Sequence, residues 1–400
     1  MRNFVKIYIG MVTFSLSISP IVYVCIALNL LAFIYIATFF RSFVLKVKKH
    51  KNDYANGSDE APNVPALSII VYCKDNAERL AKLLPQILNQ KYTAPFEVII
   101  VNDGGSEDTK DVFNYLCLSH SNLYQTFIPK EANNISPKKL AINLGVKAAR
   151  YDYILFTNAD AVINSELWLQ QYGTRFAEGK EVVFGNTVPT PDCKKILSRT
   201  KKFDILSDRI ETLSSAISGK IYRCSTYNMG YKKSLFFDSK GFSREVNKNY
   251  GDDDIFIRIF ANNENTAVLL CDEALVKCDY LNPLKSHSIG KQRNIYTSHL
   301  TTPYGRRILS LGSFSSWLWL ATAVAGILLS LPNLVPAIAF TAIMIPFWWV
   351  TIYSLIKASK ALSIPVSGWL IPFHILHKPI YDALYKIKTH KNRRQFYVLR

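Results

Sequence analysis

Acidic residues sit where the apolar runs of this chain stop, and that placement is the first sign of chemistry. Residues 67–73 end at Lys74-Asp75, 98–101 at Asn102-Asp103, and 153–157 at Asn158-Ala159-Asp160. Loops at the carboxyl ends of parallel strands are where open α/β sheets bind ligands. Each acid also has a local explanation: Asp75 as a helix cap, Asp103 in an Asp-Gly turn, Asp160 holding a loop. Three converging on one sheet edge point instead to a site for a nucleotide and a metal ion. A pair of carboxylates at the 158/160 spacing would suggest a divalent cation; here an amide takes the first place, which leaves the metal question open. A further acidic group stands at Gly251-Asp252-Asp253-Asp254. Acids favour the first turn of a helix by about 0.3–1 kcal/mol each, so a helix start is the plain reading. Three adjacent carboxylates repel one another, however, and such crowding raises the pKa of one member, which suits a general base.

The elements that must position these groups follow from periodicity. Residues 67–72, 98–101, 124–128, 153–157 and 182–184 are short apolar runs rich in β-branched and aromatic side chains, the pattern of buried strands. Leu80, Leu83, Leu84, Ile87 and Leu88 fall at helical spacing within 75–90, where Pro85 predicts a kink. Further helices are expected over 111–118 and 138–150. Strands alternating with helices predict an α/β domain with a largely parallel sheet.

Composition sets the surroundings. The chain has 400 residues, 49% hydrophobic, with a formal net charge of +18. No charged residue occurs over 7–40 or 308–356. A bilayer-spanning helix needs about 20 apolar residues, so the first run predicts one span near 20–40. The second predicts two, broken by a turn at 331–336. Arg41, Lys46, Lys48, Lys49 and Lys51 follow the first run, Arg306 and Arg307 precede the second, and Lys357 and Lys360 follow it. A basic tail adds Lys386, Lys388, Lys391, Arg393 and Arg394. The positive-inside rule places all of these in the cytoplasm, against a minor opposing pair in Arg2 and Lys6. The basic surplus therefore reads as membrane topology, and a nucleic-acid partner is not expected.

The expected order is an anchor over 1–45, a polar linker over 46–65, a cytosolic catalytic domain over 66–300, two transmembrane helices within 308–356, and an interfacial helix with a basic tail over 357–400. Pro365, Pro372 and Pro379 argue against a further full span in 364–387. The expected location is the inner (plasma) membrane, multi-pass. Trp317, Trp319, Trp348 and Trp349 read as an aromatic belt. His287 and His299 read as ordinary surface groups, and the seven scattered cysteines as reduced thiols.

The ordered set of motifs resembles the membrane-anchored family 2 glycosyltransferases of GT-A fold. "LSIIVYCKDNAERL" resembles the family's first strand and turn, and "FEVIIVNDGGSEDT" its nucleotide-binding strand. "PKKLAINLG" with "YDYILFTNADA" resembles the approach to its DxD motif, and "YNMGYKKSLF…KGF…GDDDIF" its acceptor region and acidic motif. The resemblance spans about residues 67–260. It implies that Asp103 holds the base or ribose of a nucleotide sugar, with Asp75 nearby and Lys138 facing the nucleotide. Asp160 would ligate Mg²⁺ or Mn²⁺ on the diphosphate, Asn158 standing where the motif's first acid is expected. Asp253 would be the catalytic base, with Asp252 orienting the acceptor or tuning that base. In "IGKQRNIYTSHL", Arg293 fits the arginine of the family's Gln-x-x-Arg-Trp motif, while Gly290 and Asn294 depart from it; Lys291 and Arg293 are expected at the diphosphate. The implied activity is inverting transfer from a nucleotide sugar, a UDP-sugar in the first instance, to a membrane-associated lipid or glycan. Two alternatives stand beside it: a catalytically silent nucleotide-sugar binder or envelope scaffold, and a small polysaccharide synthase.

Overall fold

The structure, a computed structural model, describes residues 7–9, 12–14, 20–55, 63–74, 76–104, 107–128, 136–245, 248–330 and 334–397. A short antiparallel pair, β1 (Ile7–Ile9) and β2 (Val12–Phe14), precedes the long helix α1 (Pro20–Ala55). The first half of the α/β domain runs β3 (Leu67–Lys74), α2 (Ala77–Leu88), β4 (Phe96–Asp103), α3 (Glu107–Cys117), β5 (Leu123–Phe127), α4 (Pro137–Ala148) and β6 (Tyr153–Asn158). Then come β7 (Ala161–Ile163), α5 (Trp168–Ala177), β8 (Val182–Gly185), β9 (Thr187–Pro189), α6 (Pro191–Ile196), α7 (Arg199–Ile217) and β10 (Met229–Lys232). The remainder holds α8 (Lys233–Asp238), α9 (Asp254–Ile257), β11 (Thr266–Leu269), β12 (Val276–Cys278) and α10 (Pro283–Ser298). Three long helices close the chain: α11 (Pro303–Ser330), α12 (Leu334–Ala361) and α13 (Ile371–Lys391).

Seven strands form the main sheet in the order β11-β8-β10-β6-β3-β4-β5. β3 is parallel to both β4 and β6, and only β10 runs against its neighbours, so the sheet is mixed with a parallel centre. Side chains alternate across a strand, and both faces here are apolar. Ile70, Ile99, Ile154 and Phe156 enter the core on one face; Ile69, Val71, Val98, Ile100 and Leu155 enter the core on the other. Gly145 lets α4 lie close on β3, since a Cβ there would stand 2.6 Å from the Ile70 side chain. A second, three-stranded sheet, β7-β12-β9, continues just past β6. This is the α/β domain with a largely parallel centre that the sequence predicts.

α1 and α11 contain the two described segments long and apolar enough to cross a membrane, Pro20–His50 and Pro303–Leu329. α12 supplies the third long helix, though part of it lies outside the side chains described, and α13, interrupted by Pro379, is not among the span-length segments. Asn29 ties the first two together, its amide donating to the Trp319 carbonyl at 2.8 Å and to Thr322 Oγ1 at 3.0 Å. Trp319 corrects the aromatic-belt expectation: it is buried, with its ring stacked on Phe33 at 5.7 Å, whereas Trp317 and Trp349 stay exposed. The expected linker is also shorter. α1 runs on to Ala55 because tertiary contacts override its polar composition: Val47 is buried, Lys46 reaches Ser214, and His50 Nε2 meets the Val268 carbonyl at 2.7 Å.

Candidate active site

The ends of β3, β4 and β6 lie side by side, with Lys74 in register with Asp103 and Tyr72 with Asn158. Asp103 is buried and accepts a hydrogen bond from the Tyr72 hydroxyl at 2.6 Å, with Lys74 Nζ 3.3 Å away. Asp75 lies outside the described residues. One turn past β6, Asp160 accepts from the Tyr227 hydroxyl at 2.9 Å, and the Asn158 side chain bonds the same tyrosine. The second sheet fixes this turn: β12 pairs with β7 directly after Asp160, and the Asp279 amide donates to the Asp160 carbonyl at 2.7 Å. Asp279 is held in turn by Arg79 Nε at 2.9 Å. Burial pushes the Asp160 carboxyl up; the Tyr227 bond and the more distant Lys138 and Arg79 only partly offset it.

The second acidic group is organised differently. Gly251 takes a left-handed turn, φ +101°, and Asp252, Asp253 and Asp254 follow, all buried. Asp253 caps α9, its Oδ1 accepting from the Asp254 amide at 2.9 Å. Each acid has its own partner from a distant element. Asp252 pairs with Lys138 of α4 at 3.0 Å, and Asp253 with Arg293 of α10 at 3.3 Å. Asp254 accepts from Thr297 Oγ1 and lies 4.0 Å from Arg223. These pairings separate the titrations. Burial raises Asp253 more than Arg293 lowers it, and the neighbouring Asp252 and Asp254 add to the rise, to about 6. Burial acts on Asp252 as well, but Lys138 and Arg293 outweigh it and hold its carboxyl below the usual range. Neighbouring acids with divergent pKa values are the arrangement that acid–base chemistry uses.

A cavity of about 990 Å³ opens beside these groups. Asp160, Arg209, Arg223, Tyr227, Tyr250 and Arg293 line its polar end, while Tyr35, Phe39 and Phe40 of α1 and Phe314 and Trp317 of α11 line an apolar flank. Asp252 and Asp253 are not part of the wall; Arg293 is, and it stands in front of Asp253.

The structure thus brings together Asp103, Asn158 and Asp160 on one side and Lys138, Asp252, Asp253 and Arg293 on the other. Lys291 lines the same cavity but pairs with neither group. Its ammonium is taken by Asp204 of α7 and by Asp382 of α13, the latter at 2.6 Å, in a cluster that also holds Lys378. His287 corrects its surface reading: its ring is buried and Nε2 sits 3.1 Å from Asp204. Sequence reasoning missed Tyr72, Tyr227, Arg223 and Thr297, the partners of the acids it found. Tyr72, Tyr227 and Thr297 lie within the quoted stretches "LSIIVYCKDNAERL", "YNMGYKKSLF" and "IGKQRNIYTSHL", whereas Arg223 lies in none of them.

An α/β sheet thus presents Asp160 to a cavity and keeps an ion-paired group of carboxylates beside it. Residues 68–239 match Glycosyl transferase family 2. The chain is 30% identical over 107 residues to a poly-beta-1,6-N-acetyl-D-glucosamine synthase of Staphylococcus epidermidis, covering 27% of this chain and 24% of that protein. It is 29% identical over 116 residues to a hyaluronan synthase of Pasteurella multocida, covering 29% of this chain and 11% of that one. The matched segment thus spans a quarter or less of the length of these relatives. Among solved structures, it is similar to the mannosyltransferase PcManGT from Pyrobaculum calidifontis in complex with GDP-Man and Mn²⁺, with a TM-score of 0.49 and 17% identity over 84% of this chain and 99% of that one. S. aureus TarS 1-349 in complex with UDP-GlcNAc gives a TM-score of 0.41 and 15% identity over 82% and 92%.

Proposed function

We propose that this protein transfers a sugar from a nucleotide sugar, a UDP-sugar, with inversion, to a membrane-associated lipid or glycan. One observation carries the reading: the cavity that begins at Asp160 and Arg293 continues to the apolar flanks of α1 and α11. An acceptor half in the bilayer can therefore present its polar end to the acids without leaving the membrane surface.

Each residue has a task in this reaction. Asp103, at the end of β4, accepts hydrogen bonds from the base or ribose, and Lys138 faces the nucleotide from α4. Asp160 suits a divalent cation: its carboxylate faces the cavity, burial raises its pKa, and no ion pair neutralises it among the described residues. No cluster of three His, Cys, Asp or Glu side chains that could hold a metal occurs among the described residues, so the remaining ligands would come from the diphosphate. Mg²⁺ or Mn²⁺ held there supplies positive charge to the departing diphosphate. Asn158 adds an amide oxygen without charge. Arg293 reaches the cavity and offers a guanidinium to phosphate oxygens; as it turns towards them, Asp253 is uncovered. Asp253 then takes the acceptor hydroxyl proton while that oxygen attacks the sugar carbon and the carbon–phosphate oxygen bond breaks. Asp252 keeps Lys138 in place. Attack opposite the leaving group inverts the centre.

The test is to incubate detergent-purified protein with a panel of nucleotide sugars and Mn²⁺. Release of UDP from one donor, stimulated by a membrane lipid extract, is the expected result. Donor binding without release from any donor would favour the silent nucleotide-sugar binder. The similarity to a poly-N-acetylglucosamine synthase supports a small polysaccharide synthase as the second reading, and a ladder of product lengths instead of single-sugar addition would favour it. The reading also places residues 42–306 in the cytoplasm at the inner (plasma) membrane. Reporter fusions at Lys51 and Arg306 are expected to score cytoplasmic, and an outside signal at Lys51 would separate the site from cytosolic nucleotide sugars.

A further inference from the structure

The segment after α13 comes back to the acidic motif. Tyr397 forms an antiparallel bridge with Lys248, and the Asn249 amide donates to the Phe396 carbonyl at 2.9 Å. The Asn249 side chain donates to the carbonyls of Gln395 and Tyr397 at 2.9 and 3.0 Å. Phe396 is buried between two rings, stacked on Tyr296 at 4.6 Å and 6°, with Tyr250 at 5.6 Å. Asn392 donates to Gln292 Oε1 at 3.0 Å. The loop held by these contacts, 248–250, leads directly into Asp252 and Asp253.

α10 is gripped by the same segment, and its periodicity shows the consequence. Gln292 and Tyr296, four apart, face the terminal segment, while Arg293 and Thr297, the next residues on from each, face Asp253 and Asp254. The terminal segment therefore fastens both halves of the Asp253–Arg293 pair at once: the carboxylate through its loop, the guanidinium through its helix. Resting on the transfer reaction proposed above, we infer that residues 392–397 are a positioning clamp for the acidic motif, with Phe396 as its pin. The base, ribose and metal contacts of the donor lie elsewhere, at Asp103 and Asp160, and only Arg293 is shared with the diphosphate, so the clamp acts on turnover far more than on donor affinity.

The test uses the full-length protein with Phe396→Ala, the milder Phe396→Leu and the independent Asn249→Ala. Misplacing a catalytic group by about 1 Å costs on the order of 10²-fold, so Phe396→Ala is expected to lower kcat by about that factor. UDP binding should keep its stoichiometry and lose far less affinity than kcat loses, amide exchange over 248–254 should accelerate, and Phe396→Leu should recover most of kcat. Asn249→Ala should reproduce the loss without touching the aromatic stack. Unchanged exchange and kcat in Phe396→Ala and Asn249→Ala would overturn the clamp. So would a fall in kcat matched by an equal fall in UDP-binding sites, which marks general unfolding. If the unmodified protein transfers no sugar from any donor, the functional reading fails, and exchange over 248–254 alone decides whether the clamp exists.

Discussion

Two groups of carboxylates at one site meet their charge in opposite ways. Asp252, Asp253 and Asp254 are buried, and each finds a cation or hydroxyl from within the chain, from Lys138, Arg293, Thr297 and Arg223. Asp160 has the Tyr227 phenol and no ion pair among the described residues, and it faces a cavity. Removing a charge from water without a partner is costly, and the usual compensation is an ion pair or a bound cation. The first group is therefore complete before any ligand arrives, whereas the second is completed by what binds. A preorganised acid–base pair beside a carboxylate left for a cation is a division of labour suited to a reaction that deprotonates one partner and neutralises the other.

The largest effect is expected at the completed group. Asp253→Asn keeps size and most hydrogen bonding but cannot take a proton, so transfer should fall about 10²–10⁴-fold while UDP binding stays near that of the unmodified protein. Asp254→Asn should cost less; the reverse order in steady-state kinetics would move the base to Asp254 and break the assignment. Next comes Arg293→Ala, which leaves Asp253 buried without its cation. Breaking a buried pair costs about 3–5 kcal/mol, to be read as a lower unfolding midpoint in denaturant. A midpoint that does not move would mean Asp253 is hydrated in solution.

The pH profile sharpens the same comparison. A base with its pKa raised to about 6 is protonated and idle below that value and free above it, so kcat should rise with pH through about 6. A flat profile down to pH 5 would place the base elsewhere. The smallest effects belong to the open group. Asp160→Ala should abolish the metal-dependent part of donor binding, and Asn158→Asp should tighten Mn²⁺ by about tenfold through the added charge, measured by calorimetry with UDP present. Donor binding indifferent to both changes and to chelator would remove the metal from the reaction.

The difference between the two groups also explains what could be read in advance. Asp103, Asn158 and Asp160 each follow a β-branched apolar run that is local in sequence, so strand, strand end and polar group are legible together. The α/β class and the three neighbouring parallel strands follow from the same signal. The partners of Asp252 to Asp254 come from α4, α10 and the segment before β10, and no local pattern links them; only the three-dimensional fold brings Lys138 to Asp252 or Arg293 to Asp253. The burial of His287 and the ion pairs of Lys291 escape a sequence reading for the same reason. Their neighbours in sequence are polar, but Asp204 and Asp382 come from α7 and α13. The extension of α1 past residue 46 likewise depends on Ser214 and Val268, which its charged composition does not reveal.

That extension makes α1 a ruler. Its 36 residues span about 54 Å at ~1.5 Å each, against a hydrocarbon layer of about 30 Å. With the uncharged stretch in the bilayer, the part from Arg41 onward rises roughly 20 Å above it at that same helical rise. The bond from His50 to Val268 of β11 joins this stalk to the sheet. On the membrane placement proposed above, the acids would stand at a set height over the lipid, and an acceptor would be selected by how far its reactive hydroxyl stands from the membrane as well as by its chemistry.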